Sequence, residues 1–358
     1  IDPAMAFQIG STTKQMTAAL TLQQVEDGTL ALDTPLSEVL PSFSMAVDPS
    51  WAPAATLHHL LSHQGGLYDI IDWAGAPEDD QLASWLYDTY SAEWFPMSPP
   101  GAFYNYSNPN YALASLAAEE HDPAGRAFAD LLIEDLFAPL GLDRTFARKA
   151  EVVADGDFAL STGLDYETGA SVDLRMREVS DAASALPVGG VWSTPSDLCR
   201  WGQFVLHGDP AVLGDGLRAA ITTPQVSTAL YDDHLSYGYG VSVWDLYPLT
   251  GGWYPIRVWD HDGATPSFSA LLVMLPDRDA VFAILTNGYH DGEFYAEAVD
   301  ALIGTIDSLP AAADYVQQVE PERVGAHVGT YHDPYNVGDI VITSDGTTGL
   351  LVEMPYLA

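Results

Sequence analysis

The sequence predicts an α+β fold, an antiparallel sheet flanked by helices together with a mainly helical subdomain. Three observations predict it. The first two thirds of the chain carries segments free of Pro and Gly with helix-type starts and stops, the later part carries short β-rich runs separated by turn residues, and an apolar content of 47% over 358 residues suffices for a sizeable core.

The helices come first. Residues 11 to 27 run without Pro or Gly until Gly28 stops them. Residues 56 to 63 read as a short helix ending at Gly65-Gly66, and a Pro- and aromatic-rich loop follows as far as Pro99-Pro100-Gly101. Residues 109 to 121 and 127 to 138 read as two more helices, the second ended by Pro139 and Gly141. Thr194-Pro195-Ser196-Asp197 is a helix start, with Thr as cap, Pro at the first position and an acid in the first turn; that helix runs to His207 and stops at Gly208.

The strands follow. Tyr239 to Leu246, Tyr254 to Asp260, Phe268 to Leu275 and Ala280 to Leu285 are β-rich runs joined by turn residues, the pattern of an antiparallel meander. A helix over about Glu293 to Leu309 closes it. After Pro321, Val328 to Tyr331, Ile340 to Thr343 and Gly349 to Met354 read as strands of something separate. The expected organisation is thus one domain over residues 1–315 and the start of a small β-barrel-like domain over 321–358.

Charge excludes several function classes. There are 12 Lys+Arg against 50 Asp+Glu, a formal net charge of −38. Nucleic acid and anionic membrane both need basic patches and are poor partners. No apolar stretch reaches the roughly 18 to 20 residues of a membrane helix, and no leader pattern is visible at Ile1-Asp2-Pro3. The acid is dispersed, as on a solvated folded surface. Adaptation to high salt, where screening relieves self-repulsion, is the reading favoured by a chain whose lysines are confined to positions 14 and 149; an acidic protein of ordinary surroundings is the other. The single cysteine, Cys199, sits in an apolar run and reads as a buried structural thiol.

Three short patterns carry chemistry. In Ser11-Thr12-Thr13-Lys14, positions i and i+3 of a helix start share a face, so a hydroxyl and an amine can meet. A serine hydroxyl needs a neighbouring base, and a lysine serves if burial lowers its pKa. Ser-x-x-Lys alone is a chance match, but with only two lysines in the chain the expectation falls to roughly 0.15. The backbone N–H of Ser11, unpaired in a first helical turn, can face a developing oxyanion. Tyr106-Ser107-Asn108 lies in a loop before a helix. Its phenol can relay protons and its amide can hold a substrate carbonyl or amide, although aromatic and Asn residues equally suit a turn. His261-Asp262-Gly263 ends a β-run, where a histidine can fix a proton network, Gly263 admits close approach, and the N–H of Ala264 can be a second oxyanion donor; a partly buried turn histidine is the plainer alternative.

Taken in order, Ser-x-x-Lys, Tyr-x-Asn and His-x-Gly resemble the motif triplet of the serine β-lactamase and penicillin-binding superfamily. The branch with class C β-lactamases, D-aminopeptidases, DD-carboxypeptidases and family VIII esterases is the most similar. Phe7-Gln8-Ile9-Gly10-Ser11-Thr12-Thr13-Lys14, Leu60-Leu61-Ser62-His63-Gln64-Gly65-Gly66-Leu67, Pro139-Leu140-Gly141-Leu142 and the segment from Gly189 to Leu198 resemble its further segments, with Gly65 where Ser is usual. The resemblance runs over about residues 6 to 310. It implies a β-lactamase/DD-peptidase-like fold, acylation of Ser11, base and acid roles shared by Lys14 and Tyr106, Asn108 orienting the substrate amide, and the N–H groups of Ser11 and Ala264 as an oxyanion hole. His261 stands where β-lactamases usually have lysine. No metal or organic cofactor is implied, and the setting implied is periplasmic or secreted. The family's segment before the nucleophile is longer than the ten residues present, so an N-terminal helix and the first strands are expected to be missing, and Ser267 stands where glycine is frequent.

The expected partner is a small-molecule or peptide substrate; the oligomeric state is left open. Asp262 beside His261 disfavours an anionic substrate by like-charge repulsion. The sequence therefore points to an ester, an amide or an amino-terminal D-residue substrate of a peptidase or esterase. A β-lactamase is one alternative and a non-catalytic, penicillin-binding-like scaffolding protein is another.

Overall fold

The structure, a computed structural model, describes residues 3–46, 50–164, 171–173, 176–288, 292–306, 309–315, 325, 327–333, 338–346 and 349–355. The chain divides into two units, Ile1–Ala313 and Asp314–Ala358.

In the first unit a two-residue strand β1 (Phe7–Gln8) leads through a 3-10 turn, Gly10–Thr12, into helix α1 (Thr13–Glu26). Nearly every side chain of α1 from Thr13 to Leu22 is buried, which explains why it shows no single apolar stripe: a helix packed on all sides needs none. Some of its polar groups are met inside the protein, Thr17 Oγ1 donating to Pro187 O at 2.6 Å and Trp201 Nε1 donating to Gln15 Oε1 at 3.0 Å. Around it stand α2 (Leu57–Leu61), whose Thr56 cap forms a reciprocal box with His59, and α3 (Asn108–Glu120), which packs against α1 and buries small residues including Ala112, Ala114 and Ala117. The next helix, α4, is assembled from Phe128–Leu131, a wide π turn Leu132–Phe137 and Ala138–Leu140. The helix expected over residues 127 to 138 thus continues through Pro139 to Leu140. The π turn shifts the backbone pairing before the proline, so its missing N–H does not interrupt an α ladder, and the stop falls at Gly141 with φ +62°.

Strand β2 (Trp192–Ser193) pairs with β1, and Ile9 N donates to Val191 O at 2.9 Å. These short strands carried no sequence signal. They lock the run before Ser11 against the loop 186–190. Helix α5 (Pro195–His207) starts as expected, Thr194 Oγ1 accepting from Asp197 N at 3.1 Å, and α6 (Asp215–Thr222) follows.

The sheet then forms from β3 (Val226–Leu230), β4 (Leu235–Tyr237) and β5 (Ser242–Trp244). A separate hairpin, β6 (Tyr247–Leu249) with β7 (Gly252–Tyr254), intervenes before β8 (Val258–Ala264), β9 (Ser269–Leu275) and β10 (Ala280–Thr286). All pairs are antiparallel and the order is β10-β9-β8-β5-β4-β3. Two expected bounds are corrected here. Tyr254 belongs to the side hairpin, not to the strand through Asp260, and β8 runs past Asp260 through His261-Asp262-Gly263 to Ala264, because β9 supplies partners as far as Ser269. Helix α7 (Gly292–Ile306) covers one face through Val299 and Ile303, which join Leu271, Val273 and Leu275 in a small core, and α5 packs on the other, where Gly202 leaves room for Val281. Cys199 is half-buried over Val281 rather than fully buried. The second unit contains three antiparallel strands, β11 (Gly329–Asp333), β12 (Gly338–Ser344) and β13 (Leu350–Glu353).

Candidate active site

The site forms where α1, α3 and β8 meet. Gly10 and Gly263 make that meeting possible. A Cβ on Gly10, whose φ is +53°, would sit 2.5 Å from Ala264 N, and one on Gly263 would sit 2.0 Å from Ile9 O and 3.1 Å from Ser11 N. The chain before the helix thus crosses β8 in backbone contact. Strand β5 pairs only with Val258, Trp259 and Asp260, so β8 from His261 to Ala264 is paired on the β9 side alone. Thr265 N donates to Phe268 O; by the alternation of an antiparallel ladder, the neighbouring N–H of Ala264 points away from β9, toward Ser11.

Lys14 is completely buried and its Nζ is 3.0 Å from Ser11 Oγ. The amine donates to Asn108 Oδ1 at 2.8 Å and to Val188 O at 2.8 Å. A neutral amine has two N–H bonds and one lone pair. As an ammonium it donates its third hydrogen to Ser11 Oγ; once neutral, with two carbonyl-type acceptors taking its two hydrogens, it turns its lone pair to the Ser11 hydroxyl. Burial lowers the Lys14 pKa to about 7, against a smaller opposing pull from the carboxylates of Asp69 and Asp262. The amine therefore exchanges its proton near neutrality.

Tyr106 lies on the other side of Ser11. Lys14 Nζ is 4.9 Å from its ring centre. Burial pushes its phenol well above the ordinary range, and its hydrogen bond with Ser11 offsets only part of this, so the phenol keeps its proton. Asn108 opens α3 and uses both ends of its amide, Oδ1 toward Lys14 and one Nδ2 hydrogen toward Asp69 Oδ1 at 3.0 Å.

His261 is placed at the wall but with its nitrogens occupied. Nδ1 donates to Asp262 O at 2.5 Å, which makes Nε2 the acceptor of the Tyr237 hydroxyl at 3.0 Å. Its ring centre is 6.2 Å from that of Tyr106, and burial lowers its pKa. The structure therefore brings Ser11, Lys14, Tyr106 and Asn108 into one network, with Gly263 and Ala264 against Ser11 and His261 beside them. Asp262 is 79% exposed in its side chain at the mouth.

Four participants were not foreseen. Val188 contributes a carbonyl, which no side-chain pattern reveals. Tyr237 comes from the β4 strand that the sequence reading left out. His63 lies inside the quoted Leu60 to Leu67 segment, which gave it no role, and Asp69 lies two residues beyond it; buried His63, with φ +56°, accepts from Ser107 N at 3.1 Å and its ring centre is 4.2 Å from that of Tyr106. Among the described residues no group of three or more His, Cys, Asp or Glu side chains is placed to hold a metal ion, and no helix is long and apolar enough to cross a membrane.

An α+β protein with a buried lysine on a helix-start serine belongs to a recognisable class, and direct comparison gives its family. A family model described as Beta-lactamase matches residues 1–304, so the chain belongs to the beta-lactamase family. It is 30% identical over 338 residues to "Penicillin-binding protein 4" of Amycolatopsis lactamdurans, covering 91% of this chain and 84% of that protein. It is 28% identical over 232 residues to a "D-aminopeptidase" of Gluconobacter oxydans, covering 62% of this chain but only 39% of that protein. The octameric penicillin-binding protein homologue from Pyrococcus abyssi shares the fold with a TM-score of 0.69 at 20% identity, over 98% of this chain and 78% of that one.

Proposed function

We propose that the protein is a serine hydrolase that forms an acyl-enzyme on Ser11 and cleaves an amide, peptide or ester bond, of the D-amino-acid peptidase or esterase type. The observation that carries this reading is the set of contacts around buried Lys14: its amine donates to Asn108 Oδ1 and Val188 O and sits 3.0 Å from Ser11 Oγ, within reach to take that hydroxyl's proton when neutral.

As Ser11 Oγ attacks the substrate carbonyl carbon, Lys14 takes the hydroxyl proton. The carbonyl oxygen gains the negative charge and lies against the N–H groups of Ser11 and Ala264. The bond to the leaving nitrogen or oxygen then breaks. Tyr106 gives that atom its phenolic proton and regains one from the Lys14 ammonium. In the second half a water adds to the acyl carbon, its proton passes to the same network, and the Ser11 Oγ–carbon bond breaks with return of the proton to Oγ. The pKa directions divide the roles: Lys14, near 7, is the base, and Tyr106, held protonated, is the relay acid. His261 acts as a neutral wall group that fixes Tyr237.

Substrate preference follows from charge. The ionised groups acting on Lys14 are the carboxylates of Asp69 and Asp262. They repel a substrate carboxylate and suit a free amine or a neutral ester. The family's name keeps β-lactam hydrolysis as the competing reading. Labelling with a fluorescent fluorophosphonate, followed by turnover of D-amino-acid amides, short p-nitrophenyl esters and nitrocefin at low and molar salt, tests both. Labelling and amide or ester turnover are expected, with loss of at least about 10³-fold in Ser11→Ala. Nitrocefin turnover exceeding the others establishes the β-lactamase. An unlabelled, inert wild-type protein ends the hydrolase reading.

A further inference from the structure

Asp69 has no part in the mechanism above, yet it makes a specific contact. Its Oδ1 accepts from Asn108 N at 2.7 Å and from Asn108 Nδ2 at 3.0 Å. We propose that Asp69 is a positioning residue for the nucleophile's base: by holding the Asn108 amide nitrogen, it forces the amide oxygen toward Lys14 and so aims the lysine lone pair at Ser11.

The two ends of an asparagine amide have nearly the same shape and opposite hydrogen-bonding character. Turned over, Asn108 would present an NH2 group to an amine that is itself donating. Lys14 would then have one acceptor, Val188 O, for two hydrogens, and its lone pair would no longer be confined to the direction of Ser11 Oγ. Lys14 alone cannot secure the right orientation, because its own bonding changes each time it gains and loses a proton. A fixed carboxylate on the other end of the amide does not change with that cycle. It adds a charge-assisted bond for the Nδ2 hydrogen and none for an oxygen.

Asp69 is itself held by the frame around it. The segment from His63 to Asp69 runs along the segment from Asn105 to Asn108. Asn105 N donates to His63 O at 2.7 Å, Asn105 Nδ2 to Leu67 O at 2.9 Å, Ser107 N to His63 Nδ1 at 3.1 Å and Ser107 Oγ to Tyr68 O at 3.4 Å. The register of these bonds brings the Asp69 carboxylate to the first turn of α3, where it meets the Asn108 amide.

The inference rests on the serine-hydrolase reading, and the test separates the two. Wild-type protein, Asp69→Asn and Asp69→Ala are compared for fluorophosphonate acylation rate, for kcat and KM on one neutral p-nitrophenyl ester, and for thermal stability. Asp69→Asn retains an acceptor oxygen and is expected to acylate within about 3-fold of wild type; Asp69→Ala is expected to acylate about 30-fold more slowly with KM little changed. Independently of turnover, [15N]Asn labelling is expected to show slowly exchanging Asn108 Nδ2 protons in wild type and Asp69→Asn, and fast exchange in Asp69→Ala. Wild-type acylation and amide protection retained in Asp69→Ala would overturn the proposal, as would an equal loss in both variants, which assigns the effect to charge. A wild type that never acylates defeats the hydrolase reading, while the exchange comparison still decides whether Asp69 orients Asn108.

Discussion

Lys14 and Arg126 are two of the twelve cationic side chains that face fifty carboxyl groups, and the fold treats them in opposite ways. Arg126 is clasped. Its guanidinium reaches Asp122 at 2.8 Å, Asp135 at 2.9 Å and Glu134 at 3.0 Å, and these partners hold its proton more firmly than usual. Lys14 is isolated. Its acceptors are an amide oxygen and a peptide carbonyl, and the two carboxylates that influence it act without touching it. Neutral acceptors orient an amine without clamping its proton. The difference teaches what separates a structural cation from a chemical one in a chain so acidic: not burial alone, but which kind of oxygen is allowed into contact.

Removing Lys14 breaks the comparison outright. Lys14→Met is expected to lower acylation by about 10³-fold, with a stability change within about 2 kcal/mol, since relief of the buried amine offsets the loss of a donor for Asn108 Oδ1 and Val188 O; Lys14→Arg is expected to be equally slow, as arginine retains its proton. Stopped-flow acylation and calorimetry read the two effects. Asn108→Asp turns Lys14 into a clasped cation. A carboxylate in contact favours the charged amine, so its pKa rises, and the neutral base is reached only at higher pH. The acid limb of kcat/KM, expected near 7 in wild type from the Lys14 value, should move up by more than one unit, with activity down about 10-fold at pH 7 and largely recovered under alkaline conditions. The smallest effect is expected at the other pole. Arg126→Ala should cost about 1–2 kcal/mol of stability at low salt and less in molar KCl, with kcat unchanged. If the acidity reflects life at high salt, as we propose, added KCl should stabilise the whole chain while leaving the acid limb of Lys14 in place.

Much of this site was legible because its members follow local rules. Ser11 and Lys14 meet by helix periodicity, Gly10 and Gly263 mark a backbone crossing, and Asn108 begins a helix beside Pro109. What was illegible depends on contacts between distant segments. Val188 acts through a backbone carbonyl, and Asp69 becomes relevant only when its segment lies along residues 105–108. Tyr237 was missed with its hairpin: the turn between β3 and β4 places Tyr231, Asp232 and Asp233 at positive φ without a glycine to announce it. His261 stands beside Tyr106, and the sequence did not show that both of its ring nitrogens are already bonded.

The one-sided stretch of β8 from His261 to Ala264 has a further consequence. A strand with no neighbouring strand on one side is a template for any extended chain, a sister molecule included, and proteins commonly guard such places with charge. Asp262 stands in the middle of the stretch with its carboxylate in solvent. Every copy carries the same acid there and an excess of acid elsewhere, so edge-to-edge stacking brings like charges together. On the reading proposed above the same carboxylate also turns away anionic ligands, so resistance to aggregation and choice of ligand would depend on one residue.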